Sequence, residues 1–99
     1  MDVYAGPLFD DKDESLKSVD IDLDEVAIDK AILDRLEHAR KEHPEFAHGK
    51  YQALGVIIGE VEELIYAVEH ESDTRAANEA LDVIAVCIRY LCKEFEHDV

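Results

Sequence analysis

Two acidic pairs interrupt otherwise apolar helical runs in the second half of the chain. Glu60 and Glu63 form the first pair, and Glu79 and Asp82 form the second. Residues three apart lie on one face of a helix, so each pair places two carboxylates side by side. The segment between the pairs is long enough to end one helix, turn and begin an antiparallel partner. We therefore expect the four carboxylates to face one another across a helical hairpin.

Such a cluster predicts a metal site. Four converging carboxylates repel one another and need cations to stay ionised. Their oxygens are hard ligands, which favour Mg²⁺, with Mn²⁺ as a substitute. Either pair alone is more typical of a solvated acidic helix face, so the prediction depends on the two pairs occurring together.

The stretch from Tyr51 to Leu91 resembles the MazG-like all-α nucleoside triphosphate pyrophosphatases. The shared pattern is E-x-x-E, a linker, and E-x-x-D followed by valine and an apolar run. The resemblance implies a Mg²⁺-dependent enzyme that cleaves a (d)NTP between the α and β phosphates, releasing the monophosphate and pyrophosphate. By position, it implies that the same four carboxylates are the catalytic metal ligands. Gly59 departs from the pattern, because many members have another glutamate there.

Periodicity and turn residues predict three helices. The first begins near residues 22–25 and ends after about Lys41, because Pro44 cannot continue it. The second runs from about Lys50 to Glu69. The third is capped by residue 73 or 74 and runs to about Phe95.

The third helix has more apolar surface than the other two helices of the chain can cover. The residues expected to form the buried stripe of the second helix are Leu54, Ile57, Ile58, Val61, Leu64, Ile65 and Val68. The third helix is apolar nearly all round from Ala80 to Cys92. We therefore expect an all-α bundle completed by homo-oligomerisation, as a homodimer or homotetramer.

Residues 1–20 differ from the rest of the chain. They are rich in acidic residues and have no sustained apolar period, so they are interpreted as an N-terminal arm. Residues 21–99 then form one all-α, MazG-like domain.

Four residues are candidates for substrate binding. Arg89 and Lys93 follow Asp82 at helical spacing and are candidates to hold phosphates, although a buried arginine is as often a structural counter-ion. Lys50 and Tyr51 begin the second helix, where the tyrosine can stack on a base or simply pack on the preceding loop. Arg35, Arg40 and Arg75 are interpreted as solvated surface residues.

Net charge and cysteine usage exclude several classes of protein. A formal charge of −15 argues against direct binding to nucleic acid, and no apolar run is long enough to span a membrane. Cys87 and Cys92 lie on different helical faces and are interpreted as reduced core thiols, which favours the cytoplasm.

Two alternatives to the enzyme stay open. The acidic composition also suits a non-enzymatic helical interaction module, such as a DNA mimic or an antitoxin-like partner. A MazG-like fold without turnover is the other alternative, and the glycine at position 59 favours it.

Overall fold

A computed structural model describes residues 25–96, which form three α-helices and no strand. Helix α1 spans Glu25–Glu42, α2 spans Lys50–His70 and α3 spans Asp73–Leu91. Helices α2 and α3 are joined by two residues and pack along their length as an antiparallel hairpin, and α1 packs against α3. The all-α, three-helix prediction is confirmed. The expected arm, residues 1–20, lies outside the described residues.

Within residues 25–96, no helix combines the length and apolar composition required to cross a bilayer.

Small residues set the line along which α2 approaches α3. Ala53 and Ala67 are fully buried and lie at the two ends of a run of residues with alternating spacings of four and three. This inner line consists of Ala53, Ile57, Glu60, Leu64 and Ala67. Alanine at both ends lets the two helix backbones come close, and the same spacing carries Glu60 onto the face that meets α3.

The predicted buried stripe of α2 is wrong for three of its members. Leu54 is 47% exposed, Ile58 48% and Val68 66%. They belong to an outer stripe, Leu54, Ile58, Val61, Ile65 and Val68, which has the same spacing as the inner line but is rotated by one residue. The predicted stripe combined the large apolar residues of both lines and omitted Ala53 and Ala67, which are the fully buried residues of α2.

The helix ends follow identifiable chemistry. Helix α1 ends two residues before Pro44, one residue later than predicted. The N-cap of α3 is Ser72, whose Oγ accepts a hydrogen bond of 3.1 Å from the backbone N–H of Arg75. The prediction of residue 73 or 74 as the cap was wrong, because the hydroxyl one residue earlier reaches the third helical N–H.

Helix α3 ends at Leu91, four residues earlier than predicted, because Lys93 adopts a left-handed backbone with φ of 58°. The N–H of Lys93 donates to the carbonyl of Tyr90, and the N–H of Glu94 donates to that of Arg89. This is the Schellman arrangement, in which glycine is the usual left-handed residue. The chain therefore turns back, and the centre of the Phe95 ring lies 4.8 Å from the centre of the Tyr90 ring.

The reversed chain joins a compact apolar core. Phe46, Ala47, Ala53 and Val86 are its buried centre, and Phe95 packs on its edge. The carbonyl of Phe95 accepts a hydrogen bond of 2.9 Å from Gly49 at the start of α2.

Both cysteines are free, but they are not core thiols as predicted. Cys87 is half-buried, and Cys92 is exposed because it follows the last helical residue.

The left-handed lysine leads to a stability prediction. Lys93→Gly is expected to raise the unfolding free energy by about 0.5–1 kcal/mol, because glycine adopts positive φ without steric cost. For a domain of this size the gain corresponds to roughly 2–6 °C in Tm, measured by circular dichroism. Lys93→Ala is the control, since it removes the same side chain but keeps the backbone strain. An equal gain in both variants would contradict the backbone explanation.

Candidate metal site

Three carboxylates from two helices converge in the middle of the hairpin. One oxygen each from Glu60, Glu79 and Asp82 lies within 4.8 Å of the others, and we call these three residues the acidic cluster. Glu79 is only 2% exposed, and the other two are half-buried. Antiparallel packing opposes Glu60 of the inner line to the Glu79/Asp82 pair of α3. The structure thus brings together three of the four predicted ligands.

The remaining predicted ligand, Glu63, is not part of this group. It is half-buried on α2, and it lies outside the inner line that contains Glu60.

Arg35 of α1 binds the acidic cluster directly. Its Nη1 donates to Oδ1 of Asp82 at 2.8 Å and to the carbonyl of Asn78 at 2.9 Å. Its Nη2 donates to Oδ1 of Asn78 at 2.5 Å. The Arg35 side chain is 9% exposed and that of Asp82 is 16% exposed, so this ion pair is shielded from water. Arg35 therefore joins α1 to the carboxylate at the centre of the site.

Asn78 fixes the position of that arginine. Its side chain is completely buried, and its Nδ2 donates to the carbonyl of Thr74 one turn earlier at 2.8 Å. The amide nitrogen is thereby committed to the backbone of α3, which leaves the amide oxygen directed at Arg35.

A second arginine lies beside Glu79. The Nη2 of Arg75 lies 3.4 Å from Oε2 of Glu79, and its Nε lies 3.7 Å from Oε1 of Glu71. Two guanidinium groups therefore accompany three clustered carboxylates. This arrangement reduces the repulsion that the carboxylates would otherwise exert on one another.

The interpretation of Arg35 and Arg75 as solvated surface residues was wrong. Arg35 is three residues after Ile32 and four before Ala39, so it lies in the apolar stripe of α1. That position was a usable signal, because an arginine within a buried stripe requires a partner. Arg75 lies four residues from both Glu71 and Glu79, which is ion-pair spacing on a helix.

A cavity of about 460 Å³ borders the acidic cluster. Its lining includes Arg35, His38, Phe46, Glu60, Asp82 and Arg89. It therefore presents carboxylates, a guanidinium and an aromatic ring to one space, which is the mixture of groups that a charged organic ligand requires.

Arg89, predicted to contact substrate, is 2% exposed and already has several partners. Its Nε donates to Oε1 of Glu94 at 2.7 Å, and its Nη2 lies 3.3 Å from the carbonyl oxygen of Pro44. Its guanidinium also lies 5.1 Å from the centre of the Phe46 ring. These contacts describe a counter-ion that holds the loop after α1 against α3, while the residue still lines the cavity.

The other three predicted substrate contacts do not line the cavity. Lys93 lies beyond the end of α3, so the predicted helical stripe with Asp82 does not include it. Lys50 and Tyr51 are exposed at the start of α2, with the lysine nitrogen 5.4 Å from the centre of the tyrosine ring.

Comparisons of the chain with models of protein families, with curated proteins and with solved structures found no match. Membership of the MazG-like family therefore stays a prediction from the motifs.

Glu94 connects two arginines of different helices beside the cavity. Burial acts to raise the pKa of its carboxyl group, but hydrogen bonds from Arg40 and Arg89 outweigh this effect and lower the pKa below the ordinary value of 4.5. Nε of Arg40 donates to Oε2 of Glu94 at 2.9 Å. Both α1 and α3 are thus bound to one carboxylate in the C-terminal turn.

This ion pair predicts a pH-dependent stability. Because the pKa of Glu94 is lower in the folded state, its contribution is fully present above 4.5 and is lost as the pH falls through the folded-state pKa. Glu94→Gln is expected to lower the unfolding free energy at pH 7 by about 1–3 kcal/mol. The deficit relative to wild type should shrink as the pH falls below 4.5 and through the folded-state pKa.

Urea titrations at several pH values measure that deficit, with Glu96→Gln as the matched control. Glu96 is exposed in the same turn, so the same substitution is expected to change the stability by less than about 0.5 kcal/mol. A deficit for Glu94→Gln that is constant with pH would contradict the ion-pair explanation.

Proposed function

We propose that the protein is a divalent-metal-dependent nucleoside triphosphate pyrophosphohydrolase, which cleaves a (d)NTP into the monophosphate and pyrophosphate. The observation that carries this proposal is the convergence of Glu60, Glu79 and Asp82 beside a cavity. The E-x-x-E and E-x-x-D motifs support the specific reaction through their resemblance to MazG-like enzymes. We propose Mg²⁺ as the metal, with Mn²⁺ as a substitute.

The donor set fits such a cation. All three clustered groups are carboxylates, and hard oxygen ligands suit Mg²⁺ and Mn²⁺ better than softer metals. A bound divalent cation would supply charge neutralisation of the phosphates and activation of a water molecule. The formal charge of −15 makes this requirement stronger, because an anionic substrate gains nothing from the overall field of the protein.

The chain's own residues have distinct tasks in this proposal. The acidic cluster binds the cation, and a cluster carboxylate accepts the proton of the attacking water. Asn78 and Arg35 fix the orientation of Asp82 through the contacts described above. The side chains of Phe46 and His38 line the cavity, where they would contact the nucleoside portion of the substrate.

We also propose that the active form is a homodimer or homotetramer in the cytoplasm. The outer stripe of α2 supports the assembly, together with exposed Ile84 and Leu91 on the neighbouring helix α3. A second copy of the chain would cover these exposed apolar side chains. The free cysteines agree with a reducing compartment.

A panel of nucleoside triphosphates assayed for pyrophosphate release tests the reaction, and Glu60→Gln tests the site. This variant is expected to reduce the Mg²⁺-dependent rate by at least about a hundredfold, because it removes one carboxylate charge from the cluster. Circular dichroism should show an unchanged helical content.

Glu69→Gln is the matched control, since it makes the same change at an exposed position of the same helix and should leave the rate unchanged. Glu63→Gln should have a smaller effect than Glu60→Gln, because Glu63 is outside the cluster. If no nucleotide yields pyrophosphate although Mg²⁺ raises the Tm, the fold binds metal without turnover. If Mg²⁺ also leaves the Tm unchanged, the interaction module is favoured.

Ile58→Glu tests the assembly. A charge at this outer-stripe position is expected to convert the oligomer into monomers at low micromolar concentration, because an interface core does not tolerate an unpaired carboxylate. Light scattering measures the mass. Leu33→Glu is the control, as Leu33 is 64% exposed on α1, away from the outer stripe. A wild-type monomer at this concentration would refute the proposal.

A further inference from the structure

Arg35 is placed where it must respond to any cation that binds the acidic cluster. It donates to Oδ1 of Asp82 at 2.8 Å while its other contacts, to both oxygens of Asn78, hold the guanidinium in place. A divalent cation at the cluster would compete with this guanidinium for the same carboxylate. Two positive charges within a few ångströms repel each other, most strongly where water is largely excluded.

The same guanidinium also lines the cavity beside Glu60 and Asp82. Arginine presents a planar set of N–H donors that matches the oxygens of a phosphate group. An anionic phosphate in the cavity would therefore relieve the repulsion between Arg35 and a bound cation. Arg75, the other arginine at the cluster, does not line the cavity, so only Arg35 combines the two contacts among the cluster arginines.

We propose that Arg35 is the resident counter-cation of the acidic cluster, which weakens the binding of a bare divalent cation and strengthens the binding of a metal–diphosphate complex. The inference rests on the proposed function and deepens it. Its consequence is that the site binds the metal together with its phosphate ligand. The phosphate offsets the repulsion between Arg35 and the metal, and the metal offsets the repulsion between the cluster carboxylates and the phosphate. Arg35 is thus a positioning residue for Asp82 and a specificity residue for anionic metal complexes.

A purely structural role for Arg35 makes a different prediction. If the arginine only holds α1 against α3, its replacement loosens the site and weakens the binding of every ligand. The counter-cation role instead predicts opposite signs for the bare metal and for the metal–diphosphate complex. The sign of the first effect therefore separates the two roles.

The first experiment titrates Mn²⁺ into wild-type protein and Arg35→Gln, with free Mn²⁺ measured by electron paramagnetic resonance. Arg35→Gln is expected to bind Mn²⁺ roughly five- to tenfold more tightly, because it removes a positive charge near the cluster. Arg35→Lys keeps the charge and should resemble wild type. Arg40→Gln removes a guanidinium that binds Glu94 instead of the cluster, and it should also leave Mn²⁺ affinity unchanged.

The second experiment titrates the complex of Mg²⁺ with imidodiphosphate, a diphosphate that resists hydrolysis, into the same proteins by calorimetry. Arg35→Gln is expected to bind this complex roughly tenfold more weakly than wild type, since a charge-assisted hydrogen bond is lost. Circular dichroism and Tm for each variant confirm that the folded protein is being titrated. If Arg35→Gln does not fold, Arg35→Met, which also removes the charge, replaces it in both titrations, and Arg35→Lys stays the control.

The outcomes distinguish this inference from the proposed function. The counter-cation role is supported if Arg35→Gln binds Mn²⁺ more tightly than wild type does and binds the Mg²⁺–imidodiphosphate complex more weakly. If wild type binds Mn²⁺ but the charge-removing variant Arg35→Gln binds it equally or more weakly, the counter-cation role is overturned and the metal site stands. If neither wild type nor Arg35→Gln binds Mn²⁺, and wild type does not bind the Mg²⁺–imidodiphosphate complex, the metal site and the inference are overturned together.

Discussion

The close approach of α2 and α3 is the constraint on which the candidate site depends. Ala53 and Ala67 at the ends of the inner line leave little volume between the two helices, and Ala85 of α3 is buried as well. Because the backbones are close, the longer side chains at the middle of the contact must share the remaining space. Glu60, Glu79 and Asp82 occupy that middle, so their carboxylates meet.

Placing three carboxylates there has an electrostatic cost that the chain offsets with arginines. Arg35 approaches from α1 and Arg75 from within α3. Removing charged groups from water is unfavourable unless each one is hydrogen-bonded and paired, which explains why an arginine and an asparagine are buried beside the cluster. The docking of α1 is therefore coupled to the charge of the site, since its arginine is one of the groups that keep the cluster neutralised.

The number and approximate bounds of the helices could be predicted from the sequence, whereas the side of each helix that contacts its neighbours could not. Pro44 and Gly49 bound the loop before α2, and the polar turn before α3 is equally clear. Apolar periodicity failed at Leu54 and Ile58, because large apolar side chains occur on two neighbouring lines of α2, whereas the fully buried residues of the helix are alanines. The early end of α3 had no sequence signal, since Lys93 holds a conformation for which glycine is typical.

For the site, the motifs predicted the acidic residues but not the cations. Three of the four carboxylates meet as expected from helical spacing and a hairpin. Arg35 was missed because an arginine is assigned to the surface by default, although its place within the apolar stripe of α1 was visible. The distance in sequence between Arg35 and Asp82 also hides their pairing, because no local spacing rule relates residues on different helices.

The two faces of α2 explain how one short chain can accommodate a polar site in its interior. The inner line contributes Glu60 and two fully buried alanines beside half-buried Ile57 and Leu64, so a carboxylate lies among apolar residues at the hairpin contact. The core around Phe46 and Val86 lies toward one end, where the C-terminal turn closes it through Phe95 and Glu94. An exposed apolar area remains at the outer stripe, which is rotated by one residue, or about 100°, from the inner line of the same helix. A second copy that covers this stripe would stabilise the hairpin without entering the cavity. The side of α2 that carries Glu60 would then belong to the site, and the outer stripe would belong to the subunit interface.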